Sequence, residues 1–395
     1  MEFNIHNEVL SIIFVTALIM GAVVNKTNFC TMGAVSDWVN MGDKGRLRAW
    51  MLAMAVAMAG VLIMEAMGVL TIPGNSFPPY RTANFAWMRY ILGGFMFGIG
   101  MTLGSGCGNK TLIRFGAGNL KSGIVLVLIA LSAYLMLWTN FFFNVFMSWM
   151  GPTSIDLAAR GITSQELGAV VGGVFGAQST AMLHMIVGAI LVIALLAFVF
   201  KSADFRSNRD NVMAGIVVGA AVLVGWYVTG GHLGKEWFDW ADFAEVRPSR
   251  VAVQSFTFIS PTGDSVRFLQ HPLDLSLINF GIVALLGVIL GSFLFSVVTR
   301  SFRVEWFANG KDFINHAVGG VLMGIGGVLG MGCTIGQGIT GVSTLAIGSI
   351  LTLVSIIFGS ALTMKIQFNM LDEQGFLQAL RSSLADMRLL PAPAK

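Results

Sequence analysis

The chain has three cysteines among its 395 residues, and two of them occupy matched positions in a duplicated glycine-rich segment. Cys107 lies in GIGMTLGSGCG at 98–108 and Cys333 in GIGGVLGMGCT at 324–334. Set against each other at an offset of 226, Gly93 to Cys107 and Gly319 to Cys333 agree at nine of fifteen positions without a gap. The third thiol, Cys30, sits in NKTNFCTMGAVSD. A neutral thiol is a weak hydrogen-bond donor with a soft, polarisable sulfur, which suits the terminal sulfur of a sulfur-containing anion. A thiolate would repel that anion. Thr31, Ser105, Asn109, Thr334 and Gln337 are the nearby groups able to meet an anion's oxygens, although each could equally satisfy loop backbone. Gly106, Gly108 and Gly332 leave room for a ligand to approach main-chain amides.

The elements that must carry these residues are membrane helices. Hydrophobic residues make up 55% of the chain and charged residues 11%, and the mean hydropathy is +0.77. This excludes an ordinary soluble domain and predicts an all-α polytopic membrane protein. Apolar runs near 8–25, 47–70, 88–103, 120–147, 181–200, 211–229, 274–299, 314–331 and 341–364 give about nine spans, each set against the roughly 20 residues a crossing helix needs. The opening MEFNIHNEVL has acidic residues where a signal peptide carries lysines, so the first helix is expected to be retained.

Lys and Arg divide unevenly between alternate connections, seventeen on one set and seven on the other. This places the N-terminus outside and the C-terminus in the cytoplasm. The basic residues are spread over five short segments, so the net charge of +4 reflects orientation and not nucleic-acid binding. The expected organisation is a first repeat over 1–147 with helices one to four, a connector over 148–210 with helix five, a second repeat over 211–365 with helices six to nine, and a cytoplasmic tail over 366–395. The repeats are then inverted, because the second starts on the opposite side of the membrane. The helices ending near Cys107 and Cys333 are expected to be short and to stop near the membrane centre, as broken helices at matching places in inverted halves do around a transporter's binding site. Each cysteine should be followed by a short helix, near Asn109–Phe115 and Gln337–Ser343, with its amides toward the site. An outer insertion over 230–272 is expected to form a small cap with a β-hairpin made from VAVQSFTFI and SVRFL around Pro261–Asp264. An interfacial helix is expected at Gln165–Val171, and an amphipathic helix in the tail.

These cysteine segments carry a resemblance. NKTNFCTMGA, GSGCGNKTLIRFGAGNLKSG and GMGCTIGQGITGVSTLAIGS resemble the YeeE/YedE sulfur-transport family, in which a cysteine follows the first helix and one lies in a Gly-x-Gly-Cys loop of each half. The resemblance implies an hourglass of nine helices in a bacterial cytoplasmic (inner) membrane, with cysteine-bearing loops dipping to its centre. It implies import of thiosulfate or a related sulfur anion, passed between protonated thiols of Cys30, Cys107 and Cys333 without covalent chemistry, and a small TusA-like sulfur carrier downstream. No cofactor or enzymatic step is implied. Two rival classes remain open at this stage. A membrane thiol-disulfide oxidoreductase needs two cysteines within bonding range, and the sequence has no CxxC pair. A soft-metal transporter would use methionines such as Met51, Met54 and Met58, which more commonly fill gaps between membrane helices. Proton coupling would call on Glu65, His184 or His316, of which Glu65 and His316 are also explicable as surface residues at helix ends.

Overall fold

The computed structural model describes residues 5–176, 180–371 and 375–391. Glu2 and Lys395, which entered the charge reading, lie outside them. The first half contains α1 (Ile5–Thr27), α2 (Thr31–Ser36), α3 (Gly45–Ala66), α4 (Trp87–Leu103), α5 (Gly108–Gly116) and α6 (Leu120–Trp138). Between the halves are α7 (Ser148–Met150), α8 (Leu167–Phe175), α9 (Thr180–Phe200) and α10 (Ala203–Ser207). The second half contains α11 (Arg209–Gly230), α12 (His232–Phe243), α13 (Ile259–Gln270), α14 (Phe280–Val298), α15 (Gly310–Leu329) and α16 (Ile347–Leu371), and α17 (Phe376–Asp386) follows. Among the described residues nine segments are long and apolar enough to cross a membrane. One two-stranded ribbon pairs Asn84 with Asp156 and Phe85 with Ile155.

Glycines allow these helices to approach backbone to backbone, and their contacts repeat between the halves. A Cβ on Gly94 or Gly98 of α4 would fall 2.6 Å from the Thr352 carbonyl or 2.3 Å from the Ile356 carbonyl of α16. Their equivalents Gly320 and Gly324 of α15 face the carbonyls of Val125 and Ile129 of α6 at 3.1 and 2.7 Å. At the centre α4 and α15 cross each other: Gly93 lies against Gly330 and Gly326, while Gly319 lies against Gly104 and Gly100. As α4 is followed forward from Gly93 to Gly104, its partners run backward along α15, so the two helices are antiparallel. A contact in which each member meets the other's counterpart is the signature of an approximate two-fold axis.

α4 has 17 residues, about 25 Å, and stops short of a full crossing. α15 begins four residues earlier than expected and has 20, about 30 Å, so only one of the pair is short. The β-hairpin expected in 251–269 is not formed. Val253 to Phe258 form no strand pair with 265–269 and every one of their side chains is buried, and Ile259 then opens α13, which packs along α6 with Gly263 against the Ala133 backbone. The alternating pattern looked like a two-faced strand because the run is enclosed by protein on both sides. Pro261 sits in the first turn of α13, where a missing N–H costs no helix bond, and does not mark a reversal. The helix expected at Gln165–Val171 starts at Leu167, and buried Gln165 bonds the Tyr90 hydroxyl at 2.9 Å. In the tail, α17 docks on α16 through Ser383 and Asn369 at 3.0 Å.

Candidate functional site

α4 and α15 end in the same device. The Gly106 N–H bonds the Met101 carbonyl at 2.9 Å and the Ser105 N–H the Thr102 carbonyl at 3.2 Å; the equivalent bonds from Gly332 to Gly327 and Met331 to Val328 are 2.7 and 3.1 Å. This paired closure of a helix C-terminus needs one left-handed residue. Here that residue is Ser105 (φ 55°) or Met331 (φ 60°), neither of them glycine, in a conformation uncommon for L-residues. The turn redirects the chain at once, so that the next residue but one is the cysteine and a second helix starts immediately.

All three thiols stand at helix N-caps. Cys30 precedes α2 in an extended conformation, and its sulfur accepts from the Gly33 N–H at 3.5 Å. Cys107 precedes α5. Cys333 precedes the helical turn that opens at Thr334, and its sulfur accepts from the Gly336 N–H at 3.4 Å. A sulfur that accepts from its own helix keeps its S–H free to donate elsewhere. All three cysteines are free and buried. The Cys30 and Cys107 side chains are neighbours, and Thr334, next to Cys333, lies beside Cys107. The cysteines of the three sequence segments therefore meet in one place, although the pairing of Cys30 with Cys107 was not legible from their spacing. The two short helices expected after Cys107 and Cys333 are present, one as α5 and the other as a wide helical turn over Gly336–Gly341.

Around the thiols lie buried polar atoms without a hydrogen-bond partner among the described residues: Thr31 Oγ1, Asn109 Oδ1, Thr257 Oγ1, Thr334 Oγ1 and Gln337 Oε1. A native interior leaves few such atoms, and each calls for a water, ion or ligand. Four of the five were expected from sequence. Gln337 is also anchored, its amide nitrogen bonding the Gly330 carbonyl at 2.6 Å. Ser105 contributes its carbonyl to Arg114 at 2.6 Å and borders a cavity, so it buttresses the loop. The glycines fit close packing: a Cβ on Gly108 would meet Ile259 at 3.0 Å, on Gly332 the Gln337 backbone N at 3.2 Å, and on Gly106 the Lys110 side chain at 3.3 Å.

Beside Cys30 opens a cavity of about 640 Å³ whose walls include Arg46, Lys110, Arg114, Lys121 and Arg303 against only two carboxylates, Glu305 and Asp312. Arg46 is paired with Asp37, and Lys121 with Asp312 at 3.1 Å. Lys110 is buried, and its ammonium meets the Asn28 side-chain oxygen at 2.8 Å; among the described residues neither it nor Arg114 has a carboxylate partner. A buried cation without a counter-charge is costly unless an anion arrives. Lys110 and Arg114 stand four residues apart on α5 in NKTLIRFG, a spacing visible in the sequence.

On the other side of the Cys333 loop, the Tyr80 hydroxyl bonds the Gly336 carbonyl at 2.6 Å and Arg81 reaches the Thr344 carbonyl at 3.2 Å, fixing the turn that carries the thiol. Arg81 also bonds Glu65 through two nitrogens at 2.6 and 3.1 Å and Glu166 at 3.2 Å, and His184 bridges the same two carboxylates. His316 pairs with Asp312 at 3.0 Å. Glu65, His184 and His316 thus all belong to local ion-pair clusters.

The chain is similar to proteins described as thiosulfate transporters. The thiosulfate transporter TsuA of Escherichia coli (strain K12) is 23% identical over 343 residues, covering 81% of this chain and 84% of that protein. The thiosulfate transporter TsuA of Spirochaeta thermophila is 24% identical over 349 residues, covering 87% and 94%. Residues 26–362 match the family described as Sulphur transport. The stretch runs from just ahead of Cys30 to beyond the Cys333 loop, and this chain belongs to that sulphur-transport family, YeeE/YedE.

Proposed function

We propose that this chain imports thiosulfate, or a closely related sulfur-containing anion, across a cytoplasmic (inner) membrane, passing it along Cys333, Cys107 and Cys30 by contacts with protonated thiols. The observation that carries the reading is the convergence of three helix-capping thiols and five unsatisfied polar side chains beside a buried, uncompensated Lys110. Such a place offers soft contacts to a sulfur terminus, polar atoms to sulfonate oxygens and positive charge to a dianion. No bond is made or broken. The excess of Lys and Arg on one set of connections supports an N-terminus outside, with the basic cavity then at the cytoplasmic mouth. Moving a dianion into an inside-negative cell costs roughly 4.6 kcal/mol at 100 mV. An electropositive exit and prompt consumption inside, for example by a TusA-like sulfur carrier, would offset it.

The test is uptake of thiosulfate by cells lacking other routes for it. Cys107→Ala and Cys333→Ala should abolish uptake while the protein remains in the membrane, and Cys30→Ala should lower it because its thiol neighbours Cys107. Full uptake by both of the first two variants would overturn the reading. The Cys30–Cys107 proximity favours one rival, a dithiol that cycles through a disulfide. Under the relay reading, uptake persists in vesicles held under excess reductant, and under the rival it stops.

A further inference from the structure

The repeat that pairs Cys107 with Cys333 leaves Cys30 without an apparent partner, because the chain has no fourth cysteine. The structure supplies the missing position. α2, which follows Cys30, and α13, in the second half, occupy corresponding places: each fills the gap after the first long helix of its half and packs on the last long helix of the other half, α2 against α16 and α13 against α6. At an offset of 227, buried Phe29 matches buried Phe256, and buried Asp37, bonded to Arg46, matches buried Asp264, bonded to Arg250. The same offset sets Thr257 against Cys30. The helix of the second half begins one residue later, after Phe258, so Thr257 stands just ahead of its cap.

Thr257 is buried, and its Oγ1 has no hydrogen-bond partner among the described residues. It lies over Gly336, the residue whose N–H bonds the Cys333 sulfur, and the backbone of neighbouring Phe258 also reaches that sulfur. A Cβ on Gly336 would fall 2.4 Å from Thr257 Oγ1, so the glycine keeps the space beside the hydroxyl open. At the equivalent position of the first half stands Lys110. The two halves therefore present different pairs: a thiol and a hydroxyl without charge around Cys333, two thiols with a cation around Cys107.

We propose that the Thr257 hydroxyl is a fourth contact for the transported anion, donating to one of its oxygens while Cys333 meets its sulfur, as Cys30 does on the Cys107 side. This rests on the relay reading above. One hard and one soft donor side by side would orient an anion that has both kinds of terminus, and they do so before the cationic half is reached.

Radiolabelled thiosulfate uptake by membrane vesicles, measured for wild type, Thr257→Val, Thr257→Ser and Cys333→Ala, tests it. Valine keeps the volume and removes the hydroxyl. Because Oγ1 makes no hydrogen bond to the described residues, folded yield and melting temperature should hold, while KM rises about tenfold or more, the loss expected for a hydrogen bond to a charged group. Serine should restore the wild-type KM. A wild-type KM for Thr257→Val alongside a dead Cys333→Ala overturns this inference and leaves the relay standing, whereas an active Cys333→Ala overturns the relay itself. A lowered melting temperature in Thr257→Val with KM unchanged assigns the residue to packing and also overturns it.

Discussion

Adding a single methyl group at Gly93 should disable both halves of the molecule at once. The Cβ of Gly93→Ala would lie 2.2 Å from the Gly330 nitrogen, 2.7 Å from its Cα and 2.8 Å from the Gly326 carbonyl oxygen. All three are backbone atoms and cannot rotate away. Ordinary contact begins near 3.4 Å, so α4 and α15 would have to separate by roughly 1 Å at their crossing, at the upper end of the about 1–3 kcal/mol that overpacking costs. Both helices end in the turns that position Cys107 and Cys333, so the displacement reaches both thiols. The approximate two-fold axis adds a sharper expectation: Gly319→Ala, whose Cβ would meet the Gly104 nitrogen at 2.5 Å, should cost a similar amount. Gly310→Ala serves as the control, because it opens α15 with nothing within 4 Å of the added methyl. The assay is melting of the purified protein in detergent, paired with vesicle uptake. Wild-type melting and uptake for Gly93→Ala, or a large cost at Gly93 with none at Gly319, would refute the reasoning.

Three further outcomes are expected. Lys110→Met should raise the KM for thiosulfate by at least about tenfold while easing the burial of an uncompensated charge, so that activity falls as stability holds or rises; uptake kinetics and melting on one preparation would check this. Asp37→Asn leaves Arg46 without its carboxylate and should destabilise by about 1–3 kcal/mol, less than a fully buried pair because Arg46 is partly exposed, with melting as the readout. Replacing Met51, Met54 and Met58 together by leucine should leave uptake intact, since Met54 and Met58 are buried in the helix-packing core; uptake loss with normal expression would favour a role for the methionine sulfurs.

The main parts of the site were legible because the repeat around Cys107 and Cys333 kept its glycines, and glycine there answers a backbone approach that tolerates nothing larger. The polar candidates Thr31, Asn109, Thr334 and Gln337 were found by adjacency to those cysteines, and the structure leaves each with an unsatisfied atom. What could not be read was pairing through space. Cys30 meets Cys107 across 77 residues, and Tyr80 holds the Gly336 carbonyl across 256. Thr257 was hidden for another reason: the repeat at that point retains only a phenylalanine, an aspartate and a valine, and the run VAVQSFTFI carries a strand-like alternation that burial on both faces makes meaningless. Lys110 was visible as a charge, but its burial was not, because α5 is too short to register as a membrane element by itself.

The most direct measurement is a density map of the protein with thiosulfate bound. The account predicts the anion among the cysteines, its terminal sulfur in contact with Cys107 or Cys333 and its oxygens toward the unsatisfied polar side chains. An anion held only among the arginines and lysines of the 640 Å³ cavity, away from every thiol, would contradict it.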